Sequence, residues 1–191
     1  MKGINKIALV ISKVLEILHW IADALMVAVL ICSVAAKDWL EALLAKGVSE
    51  FGTSLSTYGF ELMVVNTDGS VNMTAITLFS LGAIIILGLM AMVFRNVYLI
   101  IQTAEGKTWF SSGSTPFQKD IIRMVREIGI FSIAVPVSAL IISIIARLVL
   151  GAETVETSVN VEGFITGILI LCLTQIFTYG MQLQNDVDGL L

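Results

Sequence analysis

Four long apolar stretches constrain this chain more than any other feature of its sequence. They cover approximately residues 7–36, 74–97, 128–150 and 163–181, and each reaches the length of about 20 residues that a helix needs to cross a bilayer. The chain is 57% hydrophobic and 14% charged, with a mean hydropathy of +0.95, whereas soluble domains carry about 25% charged residues. The sequence therefore predicts an all-α membrane protein, a bundle of four transmembrane helices that forms one integral membrane domain over residues 1–191.

The distribution of lysine and arginine predicts the orientation of this bundle. Of the 11 basic residues, eight flank the spans on one side: Lys2, Lys6, Lys13, Arg95, Lys107, Lys119, Arg123 and Arg126. The loops 37–73 and 151–162 contain only Lys37 and Lys46, and Arg147 lies near the end of the third span. Because basic residues accumulate in cytoplasmic segments, we expect cytoplasmic termini and a cytoplasmic loop at 98–127.

The two loops predicted to lie outside carry signals of secondary structure. Apolar residues at helical spacing before Gly47 indicate a short amphipathic helix on the membrane surface: Trp39, Leu40, Leu43 and Leu44. Strand-forming residues at 59–65 precede turn-forming residues at 66–69, and 70–73 can return as a second strand. Valines within 153–161 favour a third strand. We therefore expect a small extracytoplasmic β-sheet or lid.

The cytoplasmic loop leads into the third span through a predicted helix start. Thr115, Pro116 and Gln118 have the spacing of a helix N-terminus with a capping box. Trp109 and Phe110 are expected to anchor the loop at the membrane interface. Three basic residues follow at helical spacing: Lys119, Arg123 and Arg126. We expect their shared face to dock a cytoplasmic partner or to contact anionic lipids.

Three ionisable residues lie within the first span, where such residues are costly and indicate function. Glu16, His19 and Asp23 are spaced three and four residues apart and share one helix face. Gln175 in the fourth span is a candidate partner, which would complete an intramembrane polar cluster. The cluster could relay protons or ions, or it could hold helices together by hydrogen bonds. His19 is the one histidine in the chain, so no metal site is expected.

Small residues and one proline predict where helices pack or bend. Gly163 and Gly167 open the fourth span with a small-residue ridge, and Gly82 and Gly88 lie in the second span. Such glycines let helix backbones approach closely, either within the bundle or in a homo-oligomer. Pro136 removes a backbone hydrogen bond and predicts a kink in the third span. The only cysteines, Cys32 and Cys172, lie in apolar stretches and are interpreted as small packing residues.

Several classes of function are not indicated by the sequence. No nucleophile elbow, zinc-protease motif or phosphate-binding glycine loop is present, so we expect neither an enzyme nor a cofactor. The net charge of −4 argues against direct nucleic-acid binding.

Two motifs resemble a known family. Thr115-Pro116-Phe117 leads into a basic helix and Ile128-Gly129, and the chain ends in 177–191, which reads FTYGMQLQNDVDGLL. With four spans and a folded first outer loop, these motifs resemble the small bacterial membrane proteins classified as domain of unknown function 2975. Members of that family are often encoded beside a helix-turn-helix transcription regulator. The resemblance therefore implies a bacterial inner-membrane protein that partners a cytoplasmic DNA-binding protein. Similar proteins often carry an acidic residue where this chain has Gln175.

Three hypotheses follow for function. The first is a non-enzymatic sensor, anchor or modulator that works with a cytoplasmic helix-turn-helix regulator. The second is an oligomeric small transporter or channel component that uses Glu16, His19 and Asp23. The third is a factor that protects the membrane from a peptide or from stress.

Overall fold

A computed structural model describes residues 2–66, 68–112, 115–157 and 161–188. These residues form five α-helices, three short strands and one 3-10 turn. The helices are α1 (Lys2–Ala35), α2 (Lys37–Phe51), α3 (Met73–Ala104), α4 (Lys119–Leu150) and α5 (Val161–Asp188). The strands are β1 (Ser54–Thr57), β2 (Phe60–Met63) and β3 (Val155–Thr157), and the 3-10 turn is Ala152–Thr154.

Four helices in the described part of the chain are long and apolar enough to cross a membrane. They are α1, α3, α4 and α5, which confirms the prediction of four long apolar helices. All four extend beyond the predicted spans at one end or both, most clearly where α3 continues to Ala104 and α4 begins at Lys119. Apolar content marks where lipid ends, but helical hydrogen bonding continues into the polar residues beyond it.

The predicted capping box before α4 is wrong. The first helical hydrogen bond runs from the amide of Ile122 to the carbonyl of Gln118 (3.0 Å), so the helix begins three residues later than predicted. The Thr115 hydroxyl instead accepts a hydrogen bond from the amide of Phe117 (3.2 Å) and donates one to Gln184 Oε1 (3.0 Å). The Thr115 side chain therefore binds α5 and does not cap α4.

The chain divides into two compact units, and both contain parts of α1, α3 and α4. The first comprises residues 1–19, 89–134 and 162–191, and the second comprises residues 20–88 and 135–161. In the first unit, Ile121, Met124 and Val125 of α4 form a buried apolar cluster. Side chains from three other segments pack against it: Leu99, Ile100, Ala104, Phe110, Ile170 and Phe177.

The second unit contains a three-stranded antiparallel sheet in the order β1-β2-β3. Thr57 pairs with Phe60 across a two-residue turn, in which Tyr58 and Gly59 both have positive φ angles of 46° and 85°. Positive φ at both positions is typical of the type I′ hairpin turn. β3 adds to the other edge of β2, with Phe60 opposite Thr157. The small sheet was predicted, but its main hairpin was not.

The predicted hairpin at 59–73 is only partly formed. Its second arm contributes one isolated bridge, between Val65 and Val71, and Thr67 of the turn lies outside the described residues. β2 pairs mainly with β1, which sequence analysis did not assign. The third strand was predicted within 153–161, and β3 forms there over Val155–Thr157. Val159 lies outside the described residues, and Val161 belongs to α5 and not to the strand.

The amphipathic helix after α1 is longer than predicted. α2 continues through Gly47 to Phe51, and the chain leaves the helix at Gly52, which has a φ of +90°. Leu40 is buried, whereas Trp39 and Leu43 are exposed. A glycine inside a helix costs only about 1 kcal/mol, so the helix continues through Gly47. It ends at Gly52 because the positive φ of this residue is incompatible with a right-handed helix.

Candidate functional site

The first helix buries its polar residues and exposes its apolar ones. Among the described side chains of α1, the buried ones are Ser12, Glu16 and Ser33. Large apolar residues such as Ile7, Ile21 and Val34 face outward. In water this arrangement would be unfavourable, but in lipid the polar face must turn away from the hydrocarbon. The pattern of burial is therefore the one expected of a helix surrounded by lipid.

The last helix follows the same rule. Gly167 and Thr174 are the buried residues in the described part of α5. Its outward face carries large apolar side chains, including Ile168, Leu169 and Ile176. Small and hydroxyl residues thus take the most buried positions of the helix while large apolar side chains face outward, which is typical of membrane helices.

Glu16 belongs to a polar network in the first unit. Its side chain is 9% exposed, and its carboxylate pairs with the ammonium of Lys13 on the preceding helical turn (3.0 Å). The same ammonium lies 5.0 Å from the centre of the Tyr98 ring, and the Tyr98 hydroxyl accepts a hydrogen bond from Gln102 (2.9 Å). The carboxylate of Glu16 is thus neutralised locally, and the network links α1 to α3.

The remaining members of the predicted polar cluster have separate environments. Nδ1 of His19 lies 2.7 Å from the carbonyl of Leu15, and its ring packs against Phe94 at a centroid distance of 5.0 Å. Asp23 has a buried oxygen, Oδ1, without a hydrogen-bond partner among the described residues. Gln175 is an exposed residue of α5. No described group of three or more His, Cys, Asp or Glu side chains could hold a metal ion.

The predicted basic face lies on exposed positions of α4. Lys119, Arg123 and Arg126 line one groove of about 150 Å³ together with three other residues: Ile122, Thr178 and Met181. Arg123 lies 3.6 Å from Asp120 and 3.6 Å from Glu127, so acidic neighbours on the same helix balance its charge. Lys119 and Arg126 have no ion-pair partner among the described residues.

The loop between α3 and α4 is organised around two buried polar side chains that the sequence did not single out for this role. Gln118 donates a hydrogen bond to the carbonyl of Thr115 (2.6 Å) and accepts one from the amide of Ser112 (2.8 Å). Thr103 is fully buried, and its side-chain hydroxyl accepts a hydrogen bond from the Thr108 hydroxyl (3.1 Å). Buried polar groups need such partners, and these bonds give the described part of the loop a defined conformation.

Two aromatic residues of this loop differ in their environment. Phe110 packs against the buried cluster of the first unit, and the anchoring of this loop at the membrane interface stays a prediction. Trp109 is 95% exposed and makes an edge contact with the Phe110 ring at 5.3 Å. The preceding turn is held by a hydrogen bond from the Lys107 amide to the Gln102 carbonyl (2.9 Å).

An ion pair reinforces the same turn. The ammonium of Lys107 hydrogen-bonds to the carboxylate of Glu105. This bond holds the pKa of Glu105 below its ordinary value, because a donor to a carboxylate favours its charged form.

Glycines mark the closest helix contacts, although not all at the predicted positions. A Cβ atom added to Gly167 would lie 2.9 Å from the carbonyl oxygen of Gly129 and 2.5 Å from Ile133, so α4 and α5 touch there through their backbones. Around Gly88, in contrast, no atom lies within 4 Å of an added Cβ. Gly163 lies in the first turn of α5.

A proline lies inside α4, and an aromatic side chain just before α4 contacts α5. α4 continues as a helix through Pro136, and the Phe117 ring packs directly on Gly180 of α5. The Phe117 ring also lies 6.0 Å from the ring of Phe177. The segment before α4 is thus fixed to the last turns of α5 by aromatic contact.

The chain was compared with protein-family models, with curated proteins and with solved structures, and none of the three comparisons finds a match.

Proposed function

We propose that this chain is a non-enzymatic membrane anchor or sensor of a bacterial inner membrane that docks a soluble cytoplasmic protein. In this proposal, both termini and the loop between α3 and α4 face the cytoplasm. The sheet formed by β1, β2 and β3 then lies outside the cell. The family resemblance suggests a helix-turn-helix transcription regulator as the docked protein.

The single observation that carries this proposal is the exposure of Trp109. An indole that is 95% exposed is unusual, and tryptophan is enriched among the residues that dominate protein interfaces. The loop around it is held by hydrogen bonds and by the Glu105–Lys107 ion pair. Ordering of the loop on binding therefore costs little, which favours docking of a partner.

The position of Trp109 along the chain sets its expected depth relative to the membrane. Arg95 is exposed on α3, and the last predicted span residue follows it at 97. The helix then continues seven residues beyond this position to Ala104, which is about 10 Å at 1.5 Å per residue. The headgroup layer on each side of a bilayer is only about 5–8 Å thick. Trp109 follows the end of this extension and contacts Phe110, which packs against the buried α4 cluster that includes Ile121, so it is expected at the cytoplasmic surface of the membrane, within reach of a soluble partner.

The test is a pull-down of the full-length protein from its native cells in a mild detergent, with mass spectrometry of the captured proteins. We expect a helix-turn-helix protein in the sample, and Trp109→Ala should reduce its capture at least about tenfold, the loss typical of an interface hot spot. Trp39→Ala is the matched control, because Trp39 is also exposed but lies in α2, on the predicted outer side.

Equal capture by the wild-type protein and by Trp109→Ala would contradict the proposed docking site. Recovery of the wild-type protein alone, or only with copies of itself, would contradict the proposed function.

A second candidate function has its own observation, the buried and unpartnered carboxylate oxygen of Asp23. An unsatisfied polar atom in a membrane helix costs free energy and indicates a site where a proton or cation binds. This observation favours an oligomeric transporter or channel component, with Asp23 in place of the larger predicted cluster.

Flux measurements in proteoliposomes test this second function. Asp23→Asn should abolish a flux driven by a gradient of pH or of a monovalent cation. Glu16→Gln is the control, because Lys13 already neutralises Glu16 (3.0 Å), and it should change stability rather than flux. A wild-type protein that shows no flux above empty liposomes would rule the second function out.

A further inference from the structure

We propose that the groove between the first turns of α4 and the last turns of α5 binds the headgroup of one anionic phospholipid. The groove, here called the basic groove, is lined by Lys119, Ile122, Arg123, Arg126, Thr178 and Met181. The inference rests on the membrane embedding in the proposed function, and it adds a ligand site that is separate from the docking surface at Trp109.

The charge of the basic groove fits a phosphodiester. The chain as a whole carries a net charge of −4, yet three cations converge on this one groove. Asp120 and Glu127 both lie 3.6 Å from Arg123 and more than balance its single charge, so the three cations and these two carboxylates together carry a net charge of about +1. Lys119 and Arg126 are left without an ion-pair partner among the described residues, and both line the groove. A phosphate placed between them would satisfy both, and the Arg126 guanidinium can make two parallel hydrogen bonds to it.

The shape and surface of the groove fit a lipid better than a free anion. Its volume of about 150 Å³ accommodates a headgroup but not a folded protein segment. Apolar side chains, Ile122 and Met181, lie beside the cations. A ligand that is charged at one end and apolar at the other satisfies both kinds of contact, whereas inorganic phosphate would leave the apolar part in contact with water.

The position of the groove along α4 and α5, at the predicted edge of the hydrocarbon layer, also supports a phospholipid headgroup as the ligand. The apolar stretch of α4 begins at Ile128, two residues after Arg126, and the apolar stretch of α5 ends at Met181, a lining residue. Both helices thus change from polar to apolar at the groove. Lys119 and Arg126 are seven residues apart, which is about 10 Å along the helix, comparable to the headgroup layer of about 5–8 Å.

The experiment uses purified full-length protein in a mild detergent and counts bound lipids by native mass spectrometry. Phosphatidylglycerol and phosphatidylcholine with identical acyl chains are titrated in parallel. We expect one phosphatidylglycerol to bind more tightly than any phosphatidylcholine. Arg126→Gln should weaken this binding about tenfold or more, the effect of losing a charged hydrogen-bond donor. Arg126→Lys keeps the charge but not the two parallel hydrogen bonds, and should weaken binding less than Arg126→Gln does.

Two control variants separate a site from general electrostatic attraction. Arg95→Gln removes the same charge from an exposed position that is also expected to lie at the cytoplasmic membrane surface, and should change binding less than about twofold because Arg95 does not line the groove. Met181→Trp leaves the charge unchanged and fills the groove, and should weaken binding as strongly as Arg126→Gln. Thermal unfolding of each variant in the same detergent shows that it is folded.

Three outcomes would overturn the proposal. Equal losses in Arg95→Gln and Arg126→Gln would show diffuse attraction instead of a site. Displacement of phosphatidylglycerol by inorganic phosphate would show a site for free anions. Retained binding in Met181→Trp would show that the groove is not involved. None of these outcomes depends on capture of a regulator, so they are distinguishable from failure of the docking function.

Discussion

At the scale of single residues, the contact between Gly129 and Gly167 is the most sensitive point of the helix packing. We predict that Gly167→Ala destabilises the protein by about 1–3 kcal/mol, the cost of overpacking a close contact, because the new Cβ would lie 2.9 Å from the Gly129 carbonyl oxygen. Unfolding in mixed detergent micelles measures this free energy. Gly88→Ala is the control, since an added Cβ there meets nothing within 4 Å, and it should be neutral or stabilise the helix by up to about 1 kcal/mol. Equal destabilisation by both changes would contradict the role of this contact.

A second residue-scale prediction concerns Asp68. Its carboxylate accepts hydrogen bonds from the hydroxyl (2.6 Å) and the amide (2.9 Å) of Ser70, and these bonds hold the pKa of Asp68 below its ordinary value of 3.8. The bonds therefore stabilise the folded turn above that ordinary value, and the stabilisation is lost as the pH falls through the lowered pKa.

Titration of the Asp68 carboxyl carbon by NMR tests this prediction. Ser70→Ala should raise the pKa of Asp68 towards 3.8, because the hydroxyl donor is lost. Ser70→Thr keeps a hydroxyl and should leave the pKa low. An unchanged pKa in Ser70→Ala would show that the hydroxyl bond does not favour the charged form.

At the scale of elements, the small sheet is held by two side chains of β2. Phe60 and Leu62 are both fully buried, and the Phe60 ring stacks on Phe79 of α3 at 5.5 Å. An added Cβ on Gly82 would lie 2.8 Å from the Phe60 ring, so the glycine makes room for it. The sheet is therefore packed into the helices of its unit and is not a free lid.

We predict that Phe60→Ala destabilises the protein by about 3–5 kcal/mol, the range for removal of a buried phenylalanine. Met63→Ala is the matched control, because Met63 lies on the same strand but is exposed, and it should cost less than about 1 kcal/mol. Both values come from the same unfolding measurement. A cost below about 1 kcal/mol for Phe60→Ala would show that the sheet does not depend on this packing.

The elements also show which sequence signals are reliable in this chain. The four long helices were predictable because about 20 apolar residues in a row have few other stable solutions. The start of α4 was not, because a Thr-Pro-x-Gln pattern describes only local hydrogen bonds. In the folded chain, Thr115 hydrogen-bonds to Gln184 and the Phe117 ring packs on Gly180, so neither residue takes part in a helix cap. Both partners belong to α5, and Gln184 lies 69 residues after Thr115 in the sequence.

At the scale of the whole molecule, the orientation in the membrane rests on the asymmetry of basic residues. We predict that Ser56→Cys reacts with a membrane-impermeant maleimide in spheroplasts, while Ser112→Cys reacts only after lysis. Both residues are exposed, and Cys32→Ala and Cys172→Ala remove the native thiols. The opposite pattern of labelling would place both termini outside, and it would contradict the docking of a cytoplasmic regulator while leaving the proposed lipid site open to its own test.

The sequence by itself determined the number and approximate position of the membrane helices, because the free energy of placing residues in lipid is nearly additive along the chain. It also indicated a small sheet and a basic face on α4. Only the tertiary structure decided which polar residues have partners: Lys13 neutralises Glu16, Asp23 keeps an unpaired oxygen, and Lys119 and Arg126 line the basic groove. The Lys13–Glu16 pair is local, three residues apart on one helix, but the burial of Glu16 and the lining of the groove depend on packing between segments that are remote in the sequence.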